Sequence, residues 1–423
     1  MSRFAVSRNT RIALALAVIS LLSLILQLLI MLVPQDPLWG PDGGTYVGIA
    51  SEISSPLDAF TSDAGDGGYW AIGYPLFLWA LGLVAGGSLE AIVVAQSLML
   101  IATAFITYAL AEPFSTRNRV LVFALVALSP SLLFASRVIG YEVLLMLLLT
   151  ASTLFLVRAR RVFSPSAVGS ALLAGLVLGM ATWVQSKTLV LVPVFLLALI
   201  AVRPANARLL RLGLFSGPYA ILVGLLALRN ALAVGRFSPV TSNAAVNVWI
   251  GNSPESSGRY ANIDFPDDWR ETLFERVLAF ASEQPREFLT LQVRKVVELF
   301  VPTRERPDWD MLGLDLSLEV IQFVWLAVLS LGLLLFIAGA LFRVLGRVID
   351  LWPLALVVVI GLGTHIPFIA EARMRIPYEP VLTVVAAAVL TILVGRWKSS
   401  PMPAYGTEEL SGGRESQSTS VTP

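Results

Sequence analysis

The chain has 423 residues, of which 56% are hydrophobic and 14% charged, with a mean hydropathy of +0.77. Soluble domains carry about 25% charged residues, so this composition excludes a soluble globular protein and points to a multi-spanning membrane protein. A net charge of +1 argues against a nucleic-acid partner, the lack of cysteine removes disulfides and thiolate chemistry, and a single histidine excludes His-rich metal sites.

Arg3, Arg8 and Arg11 precede the apolar run Ile12–Val33, which at about 20 residues is long enough to cross a bilayer as a helix. The run is too long for a signal peptide and no small-residue cleavage site follows, so the expectation is a retained first span with the N-terminus in the cytosol. The next stretch, Pro34–Asp66, then lies outside. It carries six acidic residues and no basic one. Within it Asp42 sits in a Gly-rich turn (Gly40, Gly43, Gly44) just before a short amphipathic pattern of Tyr46, Val47, Ile49, Ala50 and Ile53. That arrangement holds a carboxylate at the mouth of a membrane bundle; the plain alternative is a solvated acidic loop.

Residues 71–86 offer about 15 apolar positions, marginal for a span. The following run, Leu89–Ala111, is full length and ends at Arg117 and Arg119. If those arginines are cytosolic, 71–86 cannot itself cross, and it reads as a juxtamembrane helix anchored by Trp70, Tyr74 and Trp79. Alternation then predicts spans at Val120–Phe134, Val143–Val157, Ala167–Trp183, Leu189–Val202, Leu212–Leu228, Val320–Leu341, Leu351–Ile366 and Ile376–Val394, with basic clusters of the short loops on one side.

The fold class expected is therefore an all-α polytopic membrane protein of about ten transmembrane helices with both termini cytosolic. Its parts are an N-terminal membrane module, 1–228, including the outer loop 34–87; an outer-face segment, 229–319; C-terminal membrane helices, 320–398; and a Ser-, Thr-, Gly- and Glu-rich tail, 399–423, that reads as disordered.

The short outer turns hold ionisable residues: Arg137 and Glu142, then Lys187, then His365, Glu371, Arg373 and Arg375. Charges near membrane depth are costly and usually pair with something. Either they pair with each other, or the three cationic turns converge beneath the acidic loop on an anionic group such as a phosphate, for which Arg and Lys are natural binders. A carboxylate above such a cluster is the layout needed to transfer a group off a lipid phosphate.

In the outer segment, residues 236–260 are turn-rich and amide-rich, with Asn243, Asn247 and Asn252 able to bind hydroxyls. Two short helices follow. Asp267 or Asp268 caps one with Trp269, Leu273, Val277 and Ala281 on a face; Pro285 opens another with Leu289, Val293, Val296, Val297 and Phe300 in a stripe expected to lie on the bundle or the lipid interface.

Several phrases in order, PDGGTYVGIA, GYPLFLWAL, SPSLLFASRVIGYEVLL, LGMATWVQSKTLVLVP, RNALAVGRFSPVTSNAAVNVWIGNSPESSGRY, EQPREFLTLQVRKVVELFVP and HIPFIAEARMRIPYEPVL, carry a resemblance. The chain resembles the integral-membrane GT-C glycosyltransferases, in particular the branch of protein O-mannosyltransferases and the lipid A aminoarabinose transferase, from the first span to residue 395. That resemblance implies transfer of a sugar from a polyprenyl-phosphate donor to a lipid, glycan or protein acceptor at the outer face of the plasma membrane. By it Asp42 is the general base, Arg137, Lys187, Arg373 and Arg375 hold the donor phosphate, and Glu142 orients them. The family's Asp-Glu pair is here Asp42-Gly43, so a second acid, if one is needed, comes from Glu52, Asp63 or Asp66, with Asn247, Asn252 and His365 as further acceptor-side candidates. The family's Arg-Pro pair is replaced by Ser186 and Lys187, which keeps charge without bidentate geometry. Family members differ in needing a divalent cation, and the loop acids could serve either way. The competing classes are a transporter or flippase for a lipid-linked or anionic substrate and a polysaccharide polymerase or ligase. Against the transporter stand the absence of a clear duplication between halves and the clustering of ionisable residues at one face.

Overall fold

The computed structural model describes residues 7–32, 42–61, 68–161, 165–202, 206–301, 315–341 and 351–393. The start of the acidic stretch, Asp63, Asp66, the basic residues Arg3, Arg203, Arg343, Arg347, Arg396 and Lys398, and the tail 399–423 lie outside the described residues. Regular structure among the described residues is helical throughout, as expected where lipid leaves the backbone no partner but itself.

In chain order α1 (Arg8–Leu32) is followed by α2 (Gly43–Glu52), α3 (Asp58–Thr61) and α4 (Gly73–Ala85), then α5 (Leu89–Leu110), α6 (Thr116–Ala127), α7 (Pro130–Ala135), α8 (Glu142–Ala159) and α9 (Pro165–Val184). A 3-10 segment, Ser186–Leu191, leads into α10 (Val192–Ile200) and α11 (Asn206–Val234). Three helices, α12 (Ala244–Asn252), α13 (Trp269–Glu283) and α14 (Pro285–Glu298), precede α15 (Asp315–Leu341) and α16 (Trp352–Gly363). A second 3-10 segment, Ala372–Tyr378, runs into α17 (Glu379–Leu393).

Six helical stretches among the described residues are long and apolar enough to cross a membrane: Arg8–Leu32, Leu89–Leu110, Glu142–Ala159, Pro165–Val184, Ala207–Val234 and Ala372–Thr391. Shorter apolar helices cover Gly73–Ala85, Ser186–Ile200, Val320–Leu335 and Trp352–Gly363. This is a polytopic membrane protein. Its centre is α8, packed between α5 and α9, with α9 against α11. The α9–α11 crossing is close because Gly175 has no Cβ to overlap the Phe215 backbone, the small-residue device of membrane helices. By contrast α1 is peripheral and buries only Ser23, Gln27 and Ile30. Two polar residues pin it: Ser23 Oγ donates to Ala127 O at 2.6 Å and Gln27 Oε1 accepts from Ser136 Oγ at 3.1 Å.

Two elements depart from the sequence expectation. The span expected over Val120–Phe134 is broken into α6 and α7 at Ser129 (φ −62°, ψ 123°), since the residue before Pro130 is pushed out of the α region. Inside the stretch read as loop, α12 forms because Trp249 and Ile250 are buried. The apolar stripe of α14, expected on the bundle or the lipid interface, is exposed. Leu289 and Val293 are both 63% exposed, while Leu291, Lys295 and Leu299 are buried at intervals of four.

Candidate active site

The site begins at the N-terminus of α2. Asp42 is the N-cap but makes no side-chain capping bond, although Asp at this position ordinarily accepts from the first turn. Its carboxylate is engaged elsewhere. Tyr46 and Ile49 bury the inner face of α2, and Tyr46 meets Trp70, Tyr74 and Tyr141 edge-on at ring separations of 5.5, 5.2 and 6.2 Å. Burial first, then the Asp42 charge, push the Tyr46 hydroxyl well above its ordinary range, so it remains a donor. On the next helix, α4 can approach α9 because a Cβ on Gly73 would overlap the Trp183 backbone.

Across the chain, the 3-10 segment Ala372–Tyr378 presents Arg373. Its Nη1 donates to Asp42 Oδ2 at 2.8 Å and to Glu142 Oε1 at 3.4 Å, and its Nε donates to Glu371 Oε2 at 2.9 Å. Glu371 Oε1 in turn accepts the Tyr260 backbone N–H at 3.2 Å, tying the segment after α12 to the same point. Glu142 opens α8, and its carboxylate folds over Gly140 in the space a Cβ would take. That turn is fixed by Gln96, whose Nε2 donates to Ser136 O and Val138 O at 3.1 and 2.9 Å, while its Oε1 accepts from Tyr74 Oη at 2.9 Å.

Lys187 comes from the turn between α9 and α10. Its Nζ lies 3.5 Å from His365 Nδ1 and 4.5 Å from the centre of the Phe368 ring. Burial lowers its pKa to about 8, the Arg373 charge adds to this, and Glu371 opposes it. Burial, then Lys187 and Arg373, hold the His365 imidazole well below its ordinary value. It is therefore neutral, with Nδ1 facing Lys187.

Asp42, Lys187 and Arg373 line one cavity of about 540 Å³, with Glu371 and Asn247. This volume lies within the range of small-ligand sites. Other expected residues are elsewhere. Arg375 is fully buried against Glu379 at 3.3 Å and donates to the carbonyls of Leu299 and Val301, so it does not reach the cavity. Arg137 is also buried and does not line it. Glu52 is exposed at the far end of α2. Asn252 is consumed by structure: its Nδ2 donates to Val248 O and Pro367 O, each at 2.8 Å, and its Oδ1 accepts from Lys295 Nζ at 2.8 Å.

The chain matches no protein-family model and no curated protein. Among solved structures it is similar to the crystal structure of the Archaeoglobus fulgidus oligosaccharyltransferase tethered through a disulfide to an acceptor peptide containing the NVT sequon. The TM-score is 0.54 at 12% identity, over 92% of this chain and 50% of that one. The chain has a GT-C fold. It spans about half the length of that oligosaccharyltransferase chain.

Within this GT-C fold the cavity also gathers Asn243, which the sequence marked as able to bind hydroxyls, Trp70, expected as an interfacial anchor, and residues that the sequence did not single out. Tyr69, Trp70 and Tyr260 supply aromatic surface, and Gln185, Thr241 and Asn243 supply hydroxyl and amide groups. The amide-rich 236–260 stretch was the visible signal for Thr241 and Asn243. Nothing in the sequence joined it to Gln185, which belongs to the same wall only because the turn after α9 folds under it.

Proposed function

We propose that this protein is a membrane glycosyltransferase that moves a sugar from a polyprenyl-phosphate donor to an acceptor hydroxyl, at the outer face of the plasma membrane with both termini in the cytosol. The observation that carries the proposal is a cavity holding Asp42 on one wall and Lys187 on another. Likeness in fold to an oligosaccharyltransferase supports it.

In this reading the acceptor oxygen attacks the anomeric carbon, the bond from that carbon to the phosphate oxygen breaks, and Asp42 takes the acceptor's proton. A single displacement inverts the anomeric centre. The donor arrives activated, so the protein has three tasks: to position the acceptor, remove its proton and neutralise charge on the departing polyprenyl phosphate. Lys187 takes the last role. Among the described residues it is the lining cation without an ion-paired carboxylate, whereas Arg373 already faces three acids and is poorly placed to attract a phosphate. The aromatic and amide walls receive the sugar and acceptor. The exposed apolar stripe of α14 rests in the lipid interface beside the site.

The test is donor binding. Losing one charge-assisted contact, worth about 1.5–3 kcal/mol, weakens binding roughly 10- to 150-fold. Lys187→Ala is expected to lose that much affinity for a polyprenyl-phosphate sugar. Asp42→Asn, which removes a negative charge, is expected to bind donor as well or better. Wild-type affinity in Lys187→Ala contradicts the assignment.

A further inference from the structure

Three carboxylates from three separate elements meet at one guanidinium. Asp42 caps α2, Glu142 opens α8 and Glu371 precedes the second 3-10 segment, and all three contact Arg373 within 3.4 Å. Carboxylates converging on one partly buried point are what a hard divalent cation takes as ligands. Here the point is occupied by a side chain that is itself 12% exposed.

The acids are also spaced for a guanidinium. Asp42 and Glu142 share Nη1, whereas Glu371 binds Nε on the other side of the planar fork. Metal–oxygen bonds of about 2.0–2.6 Å would require all three to close on the place where the fork stands. Among the described residues no three acids or histidines are grouped so as to hold one ion. Uncompensated carboxylates in a half-buried site are costly, so some cation has to stand there.

We propose that Arg373 is the resident cation of this site, standing where a divalent ion would bridge the acids, so that Asp42 is held and oriented without metal. Removing the guanidinium turns the three acids into a divalent-cation site. The consequence for sugar transfer rests on the glycosyltransferase reading; the charge arrangement does not, and it is measured without turnover.

The experiment is a Mn2+ titration of the full-length protein in neutral-lipid nanodiscs, with free Mn2+ followed by electron paramagnetic resonance. Wild type and Asp42→Asn are expected to bind Mn2+ alike, since acids elsewhere contribute equally to both. Arg373→Gln is expected to gain a site roughly tenfold or more tighter than any in wild type, as follows from changing the charge beside the ion by one unit at close range. That site should disappear when Asp42→Asn is added, and Arg373→Lys should not acquire it. Tighter Mn2+ binding by wild type than by Asp42→Asn overturns the proposal, whether or not Arg373→Gln folds. So does an Arg373→Gln protein that elutes as wild type and gains no site.

Discussion

Replacing Asp42 by asparagine removes one charge and keeps the shape, so it separates chemistry from architecture. In the native site Arg373 donates to Asp42 at 2.8 Å, to Glu142 at 3.4 Å and to Glu371 at 2.9 Å. The asparagine carbonyl oxygen still accepts the first bond, and the cation keeps two carboxylates. The structural cost is then the difference between a charge-assisted and a neutral hydrogen bond, about 1 kcal/mol, reduced further because the Asp42 side chain is 16% exposed. The chemical cost is larger. A positioned general base is worth about 10²- to 10⁴-fold, or roughly 3–5.5 kcal/mol of barrier. Initial rates at saturating donor and acceptor should therefore fall by that factor while thermal unfolding moves by a few degrees. An Asp42→Asn protein that keeps more than about a tenth of the wild-type kcat refutes the assignment of the base.

Because an anion-binding lysine must be charged, kcat/KM for the donor should fall as pH rises through about 8; Lys187→Arg, charged at every working pH, should lose that limb, and a wild-type profile without it contradicts the phosphate role. Gly251→Ala should disturb the site from behind. Its Cβ would overlap the Phe368 carbonyl, displacing the ring under Lys187, so donor KM should rise in a protein that still assembles; wild-type KM would show that the loop is not coupled to Lys187. Glu379→Gln leaves the buried Arg375 without its carboxylate and should destabilise the protein by about 3–5 kcal/mol, read as loss of folded protein on heating; an unchanged transition would remove Arg375 and Glu379 from the structural core. Lys295, fully buried against Asn252 Oδ1 and Ile366 O, has its pKa lowered by burial to about 7. The unfolded chain thus binds the extra proton between about 7 and the ordinary lysine value near 10.5, so stability should rise with pH over that window and stay flat below it. A Lys295→Met protein with the same pH slope would sink that account.

The helical membrane fold was legible in the sequence because lipid imposes long apolar runs that composition cannot hide. Where Pro130 interrupts one such run, apolarity alone concealed a break that the residue before proline dictates. The site was only partly visible. Arg373 and Arg375 look equivalent in the sequence, yet they point roughly 120° apart on a 3-10 turn of three residues, and one meets Asp42 while the other meets Glu379. No local pattern distinguishes them. The pairing of Arg373 with Asp42 spans 331 positions; of the two arrangements open in the sequence, charges paired with each other or cations gathered for a phosphate, Arg373 takes the first. In α14 the apolar stripe is the exposed face, and the buried face includes Lys295, which no hydrophobic pattern selects.

The most direct test of the central claim is to reconstitute the purified protein in vesicles with a panel of polyprenyl-phosphate sugars and candidate acceptors, and to follow free polyprenyl phosphate. The account predicts release that requires both acceptor and Asp42, with the sugar recovered on the acceptor. Donor that crosses the bilayer intact, or that is consumed equally by wild type and Asp42→Asn, contradicts it.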